Sequence, residues 1–200
     1  MEWSLKRNTQ VVAALLMAVA FTQVLYTLLY AAEIDVPKKM LWGVEALLFV
    51  FLTVFAGAAM LQAKQAILGW VAIAFSGSLN VVQVGVGFTM FTPFREVSGN
   101  LEAMAPATAA VVAFSFFVYN AAKIQLGLAA MVFGRAVKEI GARGLGAATF
   151  TVGCFALFAN SAVVAFGRDS FMPSMVAGAS GVLATLLLAV CLWRIVQRHL

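Results

Sequence analysis

Six continuous apolar stretches leave this chain of 200 residues few ways to fold. They run over Thr9–Ala32, Met40–Gln62, Ala66–Phe91, Ala107–Gly134, Leu145–Gly167 and Ser170–Trp193. A hydrocarbon layer about 30 Å thick is crossed by roughly 20 helical residues, each rising about 1.5 Å, so every stretch is long enough. Inside lipid the backbone must satisfy its own N–H and C=O groups, which leaves helices and closed barrels. The stretches are continuous rather than alternating, and that excludes the barrel. Composition agrees, with 64% of residues apolar and 10% charged, against about a quarter charged in a typical soluble domain. Connections are short, so consecutive helices should be antiparallel neighbours. The expected fold is all-α: residues 1–200 as one integral membrane bundle of six transmembrane helices.

Loop charge predicts the orientation, since Lys and Arg favour the cytoplasmic side. One side carries eight basic residues, Lys6, Arg7, Lys64, Arg135, Lys138, Arg143, Arg194 and Arg198. The other carries four, Lys38, Lys39, Arg95 and Arg168, among the acids Glu33, Asp35, Glu96, Glu102 and Asp169. The N- and C-termini are therefore expected in the cytoplasm, in a bacterial-type inner membrane. Trp3, Trp42, Trp70 and Trp193 lie near the ends of the stretches, where amphipathic rings favour the interface. Lys6 and Arg7 precede a first stretch too long for a signal core, which is read as a retained helix.

Several chemistries are excluded. The charge of +5 is scattered over loops, which argues against nucleic acid as a partner. His199 is the sole histidine, so neither paired-histidine haem ligation nor a histidine metal centre can be built, and no cofactor is expected. Cys154 and Cys191 sit inside apolar stretches without a Cys-x-x-Cys neighbour and read as small buried side chains. A Ser–Lys dyad using Ser115 or Ser161 has no supporting signature. The glycines Gly141, Gly144 and Gly146 follow a helix and are read as a break before the fifth span, not as a phosphate loop.

What remains is polarity inside the membrane. Gln23, Asn80, Gln83, Asn120, Gln125 and Asn160 lie within the stretches, and amides in hydrocarbon need partners because an unpaired one costs about 2–7 kcal/mol. The expected partners are one another across helix interfaces. Lys123 is the only basic residue deep in a span, and Glu45 the only acid. An ionisable residue at that depth is a functional hypothesis by default. Lys123 either snorkels to the cytoplasmic interface along an overlong fourth helix, or pairs with an anion, lines water or is uncharged. Glu45 enters about five residues inside the outer end of the second stretch, offset from Lys123, which argues against a direct ion pair. Tyr119 lies one turn from Lys123.

An internal echo links the third and fifth stretches. Asn80, Gly87, Phe91 and Pro93 recur eighty residues later as Asn160, Gly167, Phe171 and Pro173. A glycine followed by a proline gives both copies the form of a helix stop. The stretch from Thr92 to Ala105 is the longest outer connection and has the composition of a short interfacial helix or lid.

The leading functional reading is a small carrier or channel-like binder of a small polar or amphiphilic solute. Its ligand-binding residues would be Asn80, Gln83, Asn120, Lys123 and Asn160, with Tyr119 and Glu45 towards the outside and no metal. An accessory or assembly subunit is the alternative, using the same amides and the small-residue runs to hold a membrane protein partner or a second copy. A membrane enzyme acting on a lipid or quinone is third.

Overall fold

A computed structural model describes residues 3–34, 38–167 and 170–199. Asp35, Arg168 and Asp169, counted above with the outer loops, lie outside them. Six helices follow in chain order: α1 (Leu5–Ala31), α2 (Lys38–Gln62), α3 (Ile67–Asn100), α4 (Ala105–Glu139), α5 (Arg143–Phe166) and α6 (Ser174–His199). All six contain a segment long and apolar enough to span a membrane, and the chain is a multi-pass membrane protein. Successive helices pack side by side, α6 closes the ring against α1, and α4 also reaches across to α6. That cross-contact gives α4 and α6 three neighbouring helices each.

The outer faces carry Phe21, Phe51, Phe75, Phe114, Phe117 and Phe158, all exposed, as expected where lipid is the solvent. The inner faces hold small or aliphatic side chains such as Ala56, Ala59, Ala122, Ala129, Ala130 and Leu188. Close approach is most evident along the α4–α5 seam. A Cβ on Gly127 would lie 2.9 Å from the Gly153 carbonyl oxygen, and one on Gly153 would lie 2.7 Å from that of Gly127. Gly134 and Gly146 repeat the arrangement two turns further in, where a Cβ on Gly134 would sit 2.9 Å from the Gly146 oxygen. Only glycine lets two backbones meet this closely, and the gain is dispersion contact between the helices. Gly144 and Gly146 therefore belong to α5 rather than to a break. The turn is confined to Ile140–Ala142, where the φ of +91° at Gly141 suits a residue without a Cβ.

Three other expectations are corrected. The third stretch does not stop at the Gly87–Pro93 signal, because α3 runs through Pro93 to Asn100. Of the short interfacial helix or lid expected over Thr92–Ala105, most is the end of α3; a 3₁₀ turn at Glu102–Met104 follows, and α4 begins at once. Proline removes one N–H bond, to the carbonyl of Thr89, and Thr89 is exposed at this outer end. The turn beyond is tied to α4 by Thr108 Oγ1 donating to the Phe94 carbonyl at 2.9 Å. The other copy of the echo does stop: α5 ends at Phe166, and Gly167 takes φ +61°. Trp70, expected at the interface, is 4% exposed and packs edge-on against Phe133 with centroids 5.0 Å apart.

At the termini end, Asn8 Nδ2 donates to Gln62 Oε1 at 2.9 Å, and Gln62 Nε2 to the Trp3 carbonyl at 2.6 Å. Arg198 Nη1 donates to the Ile140 carbonyl at 3.1 Å, holding the end of α6 to the α4–α5 turn. Both cysteines are free, and Cys191 lies 3.1 Å from Thr149 Oγ1.

Candidate functional site: a buried polar layer around Lys123

Lys123 is 0% exposed, so it does not snorkel. Long side chains on a helix lean toward its N-terminus, and on α4 that direction is back toward Tyr119 and the outer half. The ammonium accordingly lies 5.1 Å from the centroid of the Tyr119 ring, one turn earlier on the same helix. It donates to Oε1 of Gln23 on α1 at 2.7 Å. The aliphatic stem runs over Gly181 of α6, where a Cβ would lie 2.7 Å from the lysine Cδ. One side chain thus joins three helices, and Gly181 is the small residue that makes room for it.

Glu45 of α2 is 7% exposed, turned into the bundle. Thr22 Oγ1 lies 3.0 Å from Glu45 Oε1 and 2.9 Å from the Val19 carbonyl of its own helix. A hydroxyl has one proton, so the carboxylate and the carbonyl share it. No direct ion pair joins Glu45 to Lys123, as the sequence predicts, yet each lies within electrostatic reach of the other. The two charges flank α1 and are held by consecutive residues of it, Thr22 and Gln23.

The asparagines form the rest of the layer. The Gln83–Ser115 bond (3.4 Å) and the Thr108–Phe94 bond fix the antiparallel register of α3 against α4, and that register sets Asn80 level with Asn120. On α4, Asn120 is the next two-turn step outward from Gly134 and Gly127. On α5, Asn160 is the next step outward from Gly146 and Gly153. The glycine seam therefore ends in Asn120 and Asn160 at the same depth.

The asparagines do not pair with one another as expected. Each Nδ2 instead donates to the carbonyl one turn back on its own helix: Asn80 to Ser76 at 2.9 Å, Asn120 to Phe116 at 2.7 Å, Asn160 to Ala156 at 2.7 Å. A short amide always has that carbonyl within reach, so the local bond wins. Asn160 adds a cross-helix bond to the Ala177 carbonyl of α6 at 3.1 Å. The three Oδ1 atoms are buried and accept no hydrogen bond. Exposure is 0% at Asn80, 2% at Asn120 and 0% at Asn160.

Gln83 and Tyr119 are half-buried, as is Gln125, which the expected set leaves out. Ser115 is engaged by Gln83 from α3 and is not the hydrogen-bond partner of Lys123. Thr22 and Gly181 complete the site and were not expected. Gly181 lies in an evident small-residue run, but Thr22 has no signal beyond standing next to Gln23. Away from this layer, an open apolar groove of about 590 Å³ lies between α1 and α6, lined by Ala13, Met17, Phe21, Val190 and Trp193. It offers shape to an acyl chain and little polar chemistry.

The layer holds one ammonium, one carboxylate and three amide oxygens in reserve. Such a set can take hydrogen-bond donors at several points and an anionic or carbonyl group at one. No family model, curated protein or solved structure is significantly similar to this chain, so its chemistry is argued from these residues alone.

Proposed function

We propose that the protein is a small membrane carrier or channel-like binder, taking a small polar or amphiphilic solute into the layer around Lys123. The observation that carries this reading is a fully buried lysine amine held by a neutral glutamine rather than by an acid. A buried charge without a counter-ion in contact is costly, and lysines placed this way mark ligand or ion paths. In this reading Lys123 binds the anionic or carbonyl group, while Asn80, Asn120 and Asn160 meet the solute's donors. Gln83, Tyr119 and Glu45 lie towards the outer mouth. The absence of exposed surface on Lys123, Asn80 and Asn160 makes the described state an occluded one. The basic residues on the termini side support cytoplasmic termini in a bacterial-type inner membrane.

The same tight closure favours one competitor, an accessory subunit whose polar layer only holds helices together. The enzyme reading needs a serine, tyrosine hydroxyl or carboxylate bonded to Lys123, and its bond goes to Gln23. Native mass spectrometry of the protein extracted gently from its own membranes separates the two that remain. A reproducible small adduct, lost in Lys123→Met, is the expected result. A stoichiometric partner protein with no adduct would replace the carrier by the accessory subunit.

A further inference from the structure

We infer that the solute is a small zwitterion whose carboxylate is taken by Lys123 and whose ammonium is taken by Glu45. This rests on the ligand-binding reading above and narrows it to a chemical class.

The argument starts from how the two membrane-buried charges are kept. Lys123 and Glu45 are both withdrawn from solvent, at 0% and 7% exposure. Opposite charges at such depth gain most by meeting directly, and these two do not. Lys123 donates to Gln23, and Glu45 accepts from Thr22, so adjacent residues of α1 hold the two groups. Each is bonded to a neutral side chain instead of to the other, while each lies within electrostatic reach of the other.

An anion alone would satisfy Lys123 and leave Glu45 as an excess negative charge. A cation alone would do the reverse. A zwitterion neutralises both, and the layer stays electrically balanced with or without it. The neutral partners are also replaceable. Gln23 offers Lys123 a carbonyl oxygen of the kind a carboxylate supplies, with no charge, and it is half-buried, nearer the surface than the lysine. Thr22 can return its hydroxyl proton wholly to Val19, to which it is already bonded. Neither release strands a buried donor. The Asn120 oxygen, on the same helix three residues from Lys123, is buried and without a donor. A glutamine side chain is close in size to the smallest amino acids, so the exchange of Gln23 for ligand asks little of the packing.

The test uses purified protein in lipid nanodiscs and three graded probe series. One is the ω-amino acids from glycine to 6-aminohexanoate. The others are alkanoates and alkylamines of matching length. Binding is followed by thermal shift and by titration of intrinsic tryptophan fluorescence. The expected result is one amino acid binding at least tenfold tighter than its matched alkanoate and its matched amine. Its chain length then measures the gap between the two charges. Glu45→Gln should erase the advantage over the alkanoate, and Lys123→Met the advantage over the amine. Because either change risks the fold, Gln23→Leu is the second variant. It keeps both charges, removes only the competing partner, and should tighten the amino acid several-fold.

Alkanoates binding as tightly as amino acids, with Glu45→Gln without effect, would overturn the zwitterion and leave the Lys123 site standing. No binding in any series, together with a native adduct that carries no amine, would also overturn it while keeping the carrier. No binding and no adduct would remove both.

Discussion

At the scale of single residues, Lys123 shows how depth and rotation act together. Its place in the fourth apolar stretch makes it expensive, but helix rotation turns it inward to Gln23, Tyr119 and Gly181. If Lys123 and Glu45 act through each other's charge, their effects on stability cannot be independent. A double-mutant cycle of Lys123→Met and Glu45→Gln, followed by thermal unfolding in detergent, should give a coupling of about 0.5–3 kcal/mol. Additive effects would mean that the two groups are electrostatically separate. Gly181→Val places branched carbon where the lysine stem now runs. It should destabilise by about 1–3 kcal/mol, the usual cost of overpacking, and the loss should shrink in a Lys123→Ala background. The charged residues were legible as a site because membranes make charge conspicuous. Their partners were not, because Thr22 acquires its role only by facing α2, and Gln23 and Gly181 theirs only by facing α4.

Among the elements, the α4–α5 pair is set by backbone contact and the α3–α4 hairpin by length. Gly127→Leu or Gly153→Leu should wedge the seam open and cost at least as much as other overpacked cores, about 1–3 kcal/mol. Gly57 and Gly85 have nothing within 4 Å of a built Cβ, so alanine there should be neutral or stabilise by up to about 1 kcal/mol. Equal losses at all four positions would show that close approach along the α4–α5 seam does not explain the glycines. At about 1.5 Å per residue, the 34 residues of α3 and 35 of α4 extend over about 50 Å, well beyond the hydrocarbon. The outer end of α3 carries Arg95, Glu96 and Asn100, all exposed. Pro93→Ala should restore the missing bond to Thr89 and slow amide hydrogen exchange through the last turns of α3. Unchanged exchange would place the weak point elsewhere. The helices themselves were legible, whereas the ends of α3 and α4 were not. A Gly–Pro pair reads as a stop only when nothing beyond it holds the chain, and here Thr108 does.

For the whole molecule, six antiparallel helices return the C-terminus to the side of the N-terminus. Loop charge predicts that this side is the cytoplasmic one. In a Cys154→Ala/Cys191→Ala background, Gly99→Cys should react with an impermeant maleimide on intact cells, and Lys64→Cys only after the membrane is opened. The reverse pattern would invert the topology. By itself the sequence determined the solvent, the number of spans and the residues costly enough in lipid to demand an explanation, because those depend on composition and run length. Helix rotation and pairing were decided by the tertiary structure, since an amide or a lysine in a uniformly apolar stretch has no periodic signal strong enough to say which way it faces. That is why the candidate residues could be named in advance. Their arrangement, with Lys123 and Glu45 held from neighbouring residues of α1 and three asparagines set level on α3, α4 and α5, emerged only once all six helices were packed together.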